Sequence, residues 1–216
     1  MIEISVVYPN ESRYEDVSQF ARKVYRDKLN SVTTATPDVF ACAQLDDTII
    51  GSIGLSQGLY KDELFFEMCN PPKAYERLAD SEYPDRSLLG ELGTRAVVMP
   101  RPMRPLAGTV SIALAAVIIS RSYTMGIRYI GFVTNRTIHR ITDPLKLTLK
   151  ELGAPDYSAK DTAFQENMKG FLGVKQICAG FVIGSPAGCY EVITNLTHRG
   201  LIMYTDTPYN TLAKVA

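Results

Sequence analysis

The chain has 216 residues, of which 46% are hydrophobic and 21% charged; it has apolar material for a sizeable core and is not a disordered polymer. Lys plus Arg and Asp plus Glu both number 23, so the formal charge is zero and no overall field draws the chain to nucleic acid or an acidic membrane. Nothing in it resembles a linker, and we read a single domain over 1–216.

In chain order, the β-branched run at 2–8 predicts a strand that breaks at Pro9–Ser12. From Tyr14 to Leu29 the apolar residues Val17, Phe20, Ala21, Val24 and Tyr25 recur at spacings of three and four, which predicts a helix with one inward face. DVFACAQLDDTIIGSIGLSQGL then predicts two antiparallel strands joined at Asp46-Asp47. ELFFEM (63–68) reads as a short strand, and Asn70-Pro71-Pro72 as the start of a helix through Ala79.

The strand LLGELGTRAVVMP follows, then the loop RPMRP and the apolar helix LAGTVSIALAAVIISRSYTMG. Its apolar run, Val110 to Ile119, is far short of the roughly 20 residues of a membrane span and reads as a core helix. Ile127–Val133 is a buried strand; the next helix opens at Asn135-Arg136-Thr137, is divided by Pro144 and ends in LKLTLKELG with Gly153 as C-cap. VKQICAGFVIG and CYEVITNL read as closing strands around Gly184-Ser185-Pro186. The order predicts an α/β (α+β) sheet of mixed antiparallel and parallel pairs, with Leu88–Val133 as the parallel crossover.

A strand feeding a helix through a loop with two arginines and a glycine suits an anionic ligand, because free N–H groups and the helix dipole gather there. Within that strand Glu91 and Arg95 sit among apolar neighbours; they serve chemistry or pair with each other. Cys42, Cys69, Cys178 and Cys189 lack metal-type spacing and read as buried free thiols, and His139 and His198 belong to no triad or metal pattern, so no metal is expected. The start, MIEISVVYPNE, has neither a basic n-region nor a long apolar stretch, which predicts a cytoplasmic location.

ARKVYRDKL (21–29), ELFFEMCNPP (63–72), GELGTRAVVMP (90–100) and LKLTLKELGAP (145–155), taken in that order, resemble the GCN5-related N-acetyltransferase (GNAT) superfamily. The nearest branch holds thermostable-haemolysin-like proteins, N-acyl amino acid synthases and acyl-homoserine-lactone synthases. The resemblance runs to about residue 183 and leaves 190–216 as a C-terminal extension. It implies a mixed, mostly antiparallel twisted sheet flanked by helices, with strands splayed around 90–99 and 128–134. It also implies acyl transfer from a thioester, on coenzyme A or on the 4′-phosphopantetheine of an acyl carrier protein, to the amine of a small molecule or amino acid.

By the same resemblance, Glu91 is the base, Glu67 binds the acceptor's ammonium, and Arg95 binds the acceptor's carboxylate. Val98, Met99, Arg101, Arg104, Gly108 and Thr109 line the pantetheine arm and its phosphates. The superfamily loop reads Gln/Arg-x-x-Gly-x-Gly/Ala, whereas here Arg104-Pro-Leu-Ala-Gly108-Thr109 displaces the glycine by one, and Pro102 and Pro105 remove donors. That implies a weaker hold on a pyrophosphate and brings an acyl carrier protein forward as partner. A catalytically silent binding protein of the same fold is the alternative. A membrane-active protein ranks below it, since the sequence has no spanning segment and no basic amphipathic helix.

Overall fold

The β-branched opening forms β1 (Ile2–Val7), and the three-four periodicity that follows forms α1 (Arg13–Leu29). α1 stops at Asn30, which takes the left-handed conformation (φ 47°) and donates its N–H to the Tyr25 carbonyl. β2 (Val39–Leu45) and β3 (Thr48–Gln57) turn at Asp46 and Asp47, both at positive φ (47° and 62°), the geometry that matches the twist of a tight hairpin. The order continues with α2 (Phe65–Met68), α3 (Ala74–Ala79), β4 (Leu89–Val97), α4 (Ala107–Thr124), β5 (Tyr129–Asn135), α5 (His139–Thr142), β6 (Leu149–Gly153), α6 (Thr162–Leu172), β7 (Gln176–Val182), α7 (Ala187–His198) and β8 (Ile202–Thr205). This computed structural model describes residues 1–33, 35–61, 63–69, 74–82, 84–135, 138–158, 160–172 and 176–205, with backbone alone at 171–172.

Among the described residues the strands make one sheet in the order β6-β7-β5-β4-β3-β2-β1-β8. Pairing is antiparallel except for β4 with β5 and β1 with β8. α4 covers one face: Val110 and Leu114 reach Gly51 of β3, and Val110, Ser111 and Ala113–Ser122 are buried. With its preceding turn α4 is long and apolar enough to cross a membrane by composition, but it lies in the main core of this molecule. α1 covers β1 and β2 on the opposite face through Val17, Phe40 and Cys42, while Phe66, Tyr75 and Leu78 of α2 and α3 pack over Leu89 and Cys178.

The sheet forks in its middle. β4 and β5 pair only at Leu89↔Tyr129, Gly90↔Ile130 and Glu91↔Gly131; beyond that β4 follows β3 to Val97 and β5 follows β7 to Asn135. This is the splay expected around 90–99 and 128–134.

Three sequence expectations fail, each because tertiary contacts outweigh local pattern. ELFFEM is the helix α2 and not a strand: Phe66 is fully buried, and the Glu67 side chain accepts the Leu64 N–H at 2.7 Å, closing the first turn. LKLTLKELG is not helical, since Lys146 (φ 57°) ends a 3-10 turn at Asp143–Leu145 and the chain extends into β6; Gly153 (φ 106°) sits at a β-bulge against β7 and is no C-cap. CYEVITNL belongs to α7, where Cys189 and Ile193, one turn apart, are the buried pair. α6 and β8 had no sequence signal assigned. β8 pairs with β1 and Ile202 enters the main core, so this part of 190–216 is structural sheet and helix. The expected helix starts at Asn70-Pro71-Pro72 and Arg136-Thr137, and the tail from residue 206, lie outside the described residues.

At the fork, a Cβ on Gly131 would fall 2.3–2.7 Å from the Phe66 ring, whereas one on Gly93 would meet nothing within 4 Å. Gly131→Ala is therefore expected to destabilise by about 1–3 kcal/mol in urea unfolding, while Gly93→Ala, just past the last shared rung at Glu91, stays within about 1 kcal/mol of the parent. Equal effects would contradict the packing described.

Candidate active site

Glu91 is the last residue of β4 paired with β5, and its side chain faces α2. It is only 7% exposed. The backbone N–H groups of Phe65 and Phe66, at the start of α2, donate to its carboxylate. Burial pushes the carboxyl up to about 8, the amides pull it down, the negative Glu67 adds to the rise and Lys61 opposes it. A carboxyl of this kind is poised between acid and base near neutral pH.

Aromatic side chains pack against the last rungs that β4 and β5 share. The Tyr75 hydroxyl donates to the Gly90 carbonyl at 2.5 Å, and the Gly131 N–H is directed at the Tyr75 hydroxyl oxygen. Phe66 meets Tyr75 edge-on, with centroids 5.0 Å apart and planes at 73°, and lies across Gly131. Cys69, at the end of α2, is buried and close enough to Glu91 for that charge to raise its thiol further above its ordinary range, after burial itself.

Glu67 is held by Arg86 in a two-toothed ion pair, Nη1 to Oε1 at 2.7 Å and Nη2 to Oε2 at 3.0 Å. Arg86 also donates to the carbonyls of Gly58 (3.2 Å) and Lys61 (2.9 Å). With Leu64 N–H on the same carboxylate, Glu67 is bound into the scaffold beneath Glu91.

Arg95 does not pair with Glu91. β4 carries a bulge in which Thr94 and Arg95 together oppose Ile53 of β3, and the extra residue breaks the alternation that would put positions 91 and 95 on one face. Thr94 takes φ 47°, a strained conformation for a β-branched residue, and its buried Oγ1 has no hydrogen-bond partner among the described residues. The Arg95 N–H is directed at the buried Tyr25 hydroxyl of α1. Its side chain is exposed, and Leu92 and Gly93 are half-buried, although β4 is a central strand of the sheet. Past Glu91, where β4 and β5 no longer pair, the exposed arginine and the open position at Gly93 leave this central strand uncovered, and the space between the two strands is the gap.

Beyond the gap Val98 is exposed and its N–H donates to the Ile50 carbonyl at 2.8 Å, while the Met99 side chain turns into the core. A 3-10 turn, Arg101–Leu106, runs directly into α4, with Met103 N–H donating to Pro100 and Ala107 N–H to Arg104. Arg101 and Arg104 are exposed, Gly108 is exposed with open space where a Cβ would stand, and Thr109 is half-buried. The amino end of α4 is thus not walled off by packing. The sequence reading missed Phe66, Tyr75 and Arg86: the first two look like ordinary core aromatics, and Arg86 sits in a polar turn where Asp85 caps the Ser87 N–H at 2.9 Å. A separate surface groove lined by Arg13, Asp16, Cys42, Gln44 and Ile49 lies beside the β2–β3 hairpin and contains none of these residues.

A forked mixed sheet with a helix rising beyond the fork is an arrangement that several solved structures share. Among solved structures, the chain is similar to the CoA-dependent acyl-homoserine lactone synthase BjaI, solved with SAM and isopentyl-CoA (TM-score 0.64, 15% identity, 99% of this chain and 98% of that one). It is also similar to the acyl-homoserine lactone synthase LasI (TM-score 0.58, 9% identity, 88% and 94%) and to the CoA-dependent acyl-homoserine lactone synthase MesI (TM-score 0.55, 18% identity, 92% and 94%). No protein-family model and no curated protein matches the sequence.

The Glu91 environment has a signed consequence for stability. Its carboxyl titrates about 8 in the folded chain against an ordinary 4.5, so the contribution of the neutral form is complete below 4.5 and is lost as pH rises toward 8, by up to about 1.4 kcal/mol per pH unit. Glu91→Gln stays neutral throughout. Relative to the parent, its Tm is expected to be distinctly more favourable at pH 8 than at pH 5; the same difference at both pH values would show that Glu91 is not perturbed.

Proposed function

We propose that this protein is an N-acyltransferase that takes an acyl group from a phosphopantetheine thioester, carried by coenzyme A or by an acyl carrier protein, and forms an amide with a small amine or amino acid. The observation that carries the reading is Glu91, a nearly buried carboxyl at the fork between β4 and β5, with the open gap running from it toward α4.

The gap fits a pantetheine arm: Gly93 leaves open space along β4, Arg101 and Arg104 are exposed ahead of α4, and Gly108 and Thr109 lie in its first turn. The donor supplies the activated thioester carbonyl. Glu91, as carboxylate, accepts a proton from the acceptor's amine; the nitrogen then bonds to the carbonyl carbon. β4 amides not paired with β3 suit the developing oxyanion. When the carbon–sulfur bond breaks, Glu91 returns its proton to the departing thiolate, so amine and thioester become amide and thiol. Exposed Arg95, on the part of β4 past the fork, suits the carboxylate of an amino-acid-like acceptor. Three solved structures of similar fold are acyl-homoserine lactone synthases, two of them CoA-dependent, and one holds isopentyl-CoA and SAM; this supports a thioester donor and an acceptor with an amino-acid portion.

The prolines at 102 and 105 favour the second reading, a catalytically silent binder, since they thin the donors before α4. Thiol release decides between them. With acyl-coenzyme A or acyl-carrier protein and a panel of amines including amino acids, the parent is expected to release thiol at a rate that climbs between pH 6 and about 8 and then levels. Glu91→Gln, still folded, is expected to lose about 10²–10⁴-fold of that rate. Silence with both donors would leave the binder; an unchanged rate in Glu91→Gln would remove Glu91 from the chemistry.

A further inference from the structure

Glu91 is fixed by amides that belong to a helix of only four residues, and such a helix does not hold itself in place. What holds it is Arg86. One guanidinium grips both oxygens of Glu67 within α2 and also the carbonyls of Gly58 and Lys61, so the end of β3, the approach to α2 and α2 itself are tied at one point. Glu67 completes the tie by accepting the Leu64 N–H, the residue just before Phe65 and Phe66.

We propose that the Glu67–Arg86 ion pair is the positioning element of the site: by clamping the short α2 to the segment before it, the pair sets the two amides that hold Glu91. The inference rests on the reading of Glu91 as the base and adds Arg86, a residue outside the reacting groups, to the working site.

The charges around Glu91 give the effect a sign. From α2 comes Glu67, which disfavours a second negative charge; from the segment before α2 comes Lys61, which favours it. From α3 comes the neutral Tyr75 hydroxyl, where Glu67 and Arg86 act in opposite directions, and from the end of α2 comes the neutral Cys69 thiol, with Glu63 and Lys160 around it. The Arg86 side chain is 38% exposed and that of Glu67 23%, so solvent screens both charges and shrinks their effect without reversing its sign. Removing the negative member leaves a lone cation near Glu91. Removing the positive member leaves a lone anion there.

The test is a ¹³C titration of the Glu91 carboxyl in the full chain, its resonance identified by disappearance in Glu91→Gln. Glu67→Gln, which keeps an oxygen for the Leu64 N–H, is expected to move the Glu91 midpoint to lower pH. Arg86→Gln is expected to move it to higher pH, and the double variant to bring it back toward the parent value. A pair with a merely structural role would lower Tm in both variants without displacing the midpoint in opposite directions; that result, or an unmoved midpoint, overturns the proposal. Should Arg86→Gln not fold, Glu67→Gln decides alone: a midpoint moved to lower pH supports the proposal and an unmoved one overturns it. The titration needs no turnover. Midpoints that move as stated in a protein that releases no thiol would keep the role of the pair and remove the acyltransferase reading.

Discussion

A carboxyl group taken out of water without a cation against it is costly, by several kcal/mol if it stays charged, and proteins remove such groups unless something requires them. Glu91 is in that position. The chain answers the cost in two ways, with amide donors from α2 and by letting the carboxyl stay protonated over much of the neutral range. Neither removes the cost, and a leucine would fill the space at less expense in free energy. Much of the surrounding architecture follows from keeping this residue where it is: the short α2, the Arg86 tie, the Tyr75 hydroxyl set against Gly90, and the glycine at 131 that makes room for Phe66.

The same stretch of β4 carries the strained Thr94 and the exposed Arg95. A bulge in a central strand gives up regular pairing and twists the strand, and here it lies just where β4 leaves β5. Strain, a lost sheet partner and a buried carboxyl within seven residues mark a segment shaped for something other than stability. The large apolar helix α4 and the strong β1–β2–β3 ladder supply the compensation, since they form the main core on one side of the fork.

The frame of the fold was legible where a single periodicity ruled: β1, α1, the β2–β3 hairpin, β4, α4 and β5 are where alternation and three-four spacing put them. It was not legible where burial came from distant partners. ELFFEM has the short aromatic, apolar make-up of a strand, yet Phe66 is pulled over Gly131 and Glu67 onto Arg86, contacts that no window around residue 65 contains. CYEVITNL is rich in β-branched residues but α4 offers it a helical neighbour. For the site, Glu91 stood out because a carboxylate in an apolar strand calls for explanation, and the Pro/Arg loop stood out as an anion cradle. Its supposed partner Arg95 was misjudged as a pairing candidate, since a bulge that resets the face of a strand leaves no mark beyond a glycine and a threonine. Arg86 was invisible because its role exists only after folding brings residues 58, 61, 67 and 86 together.

The central claim is that the gap between β4 and β5 receives the donor's pantetheine arm. Amide hydrogen exchange with and without excess acyl-coenzyme A measures this directly. Protection gained across 92–97 and at the start of α4, with β6 and the β2–β3 hairpin unchanged, is the outcome the account predicts. Protection that appears only at the groove beside the hairpin, or binding that leaves 92–97 unaltered, would contradict it.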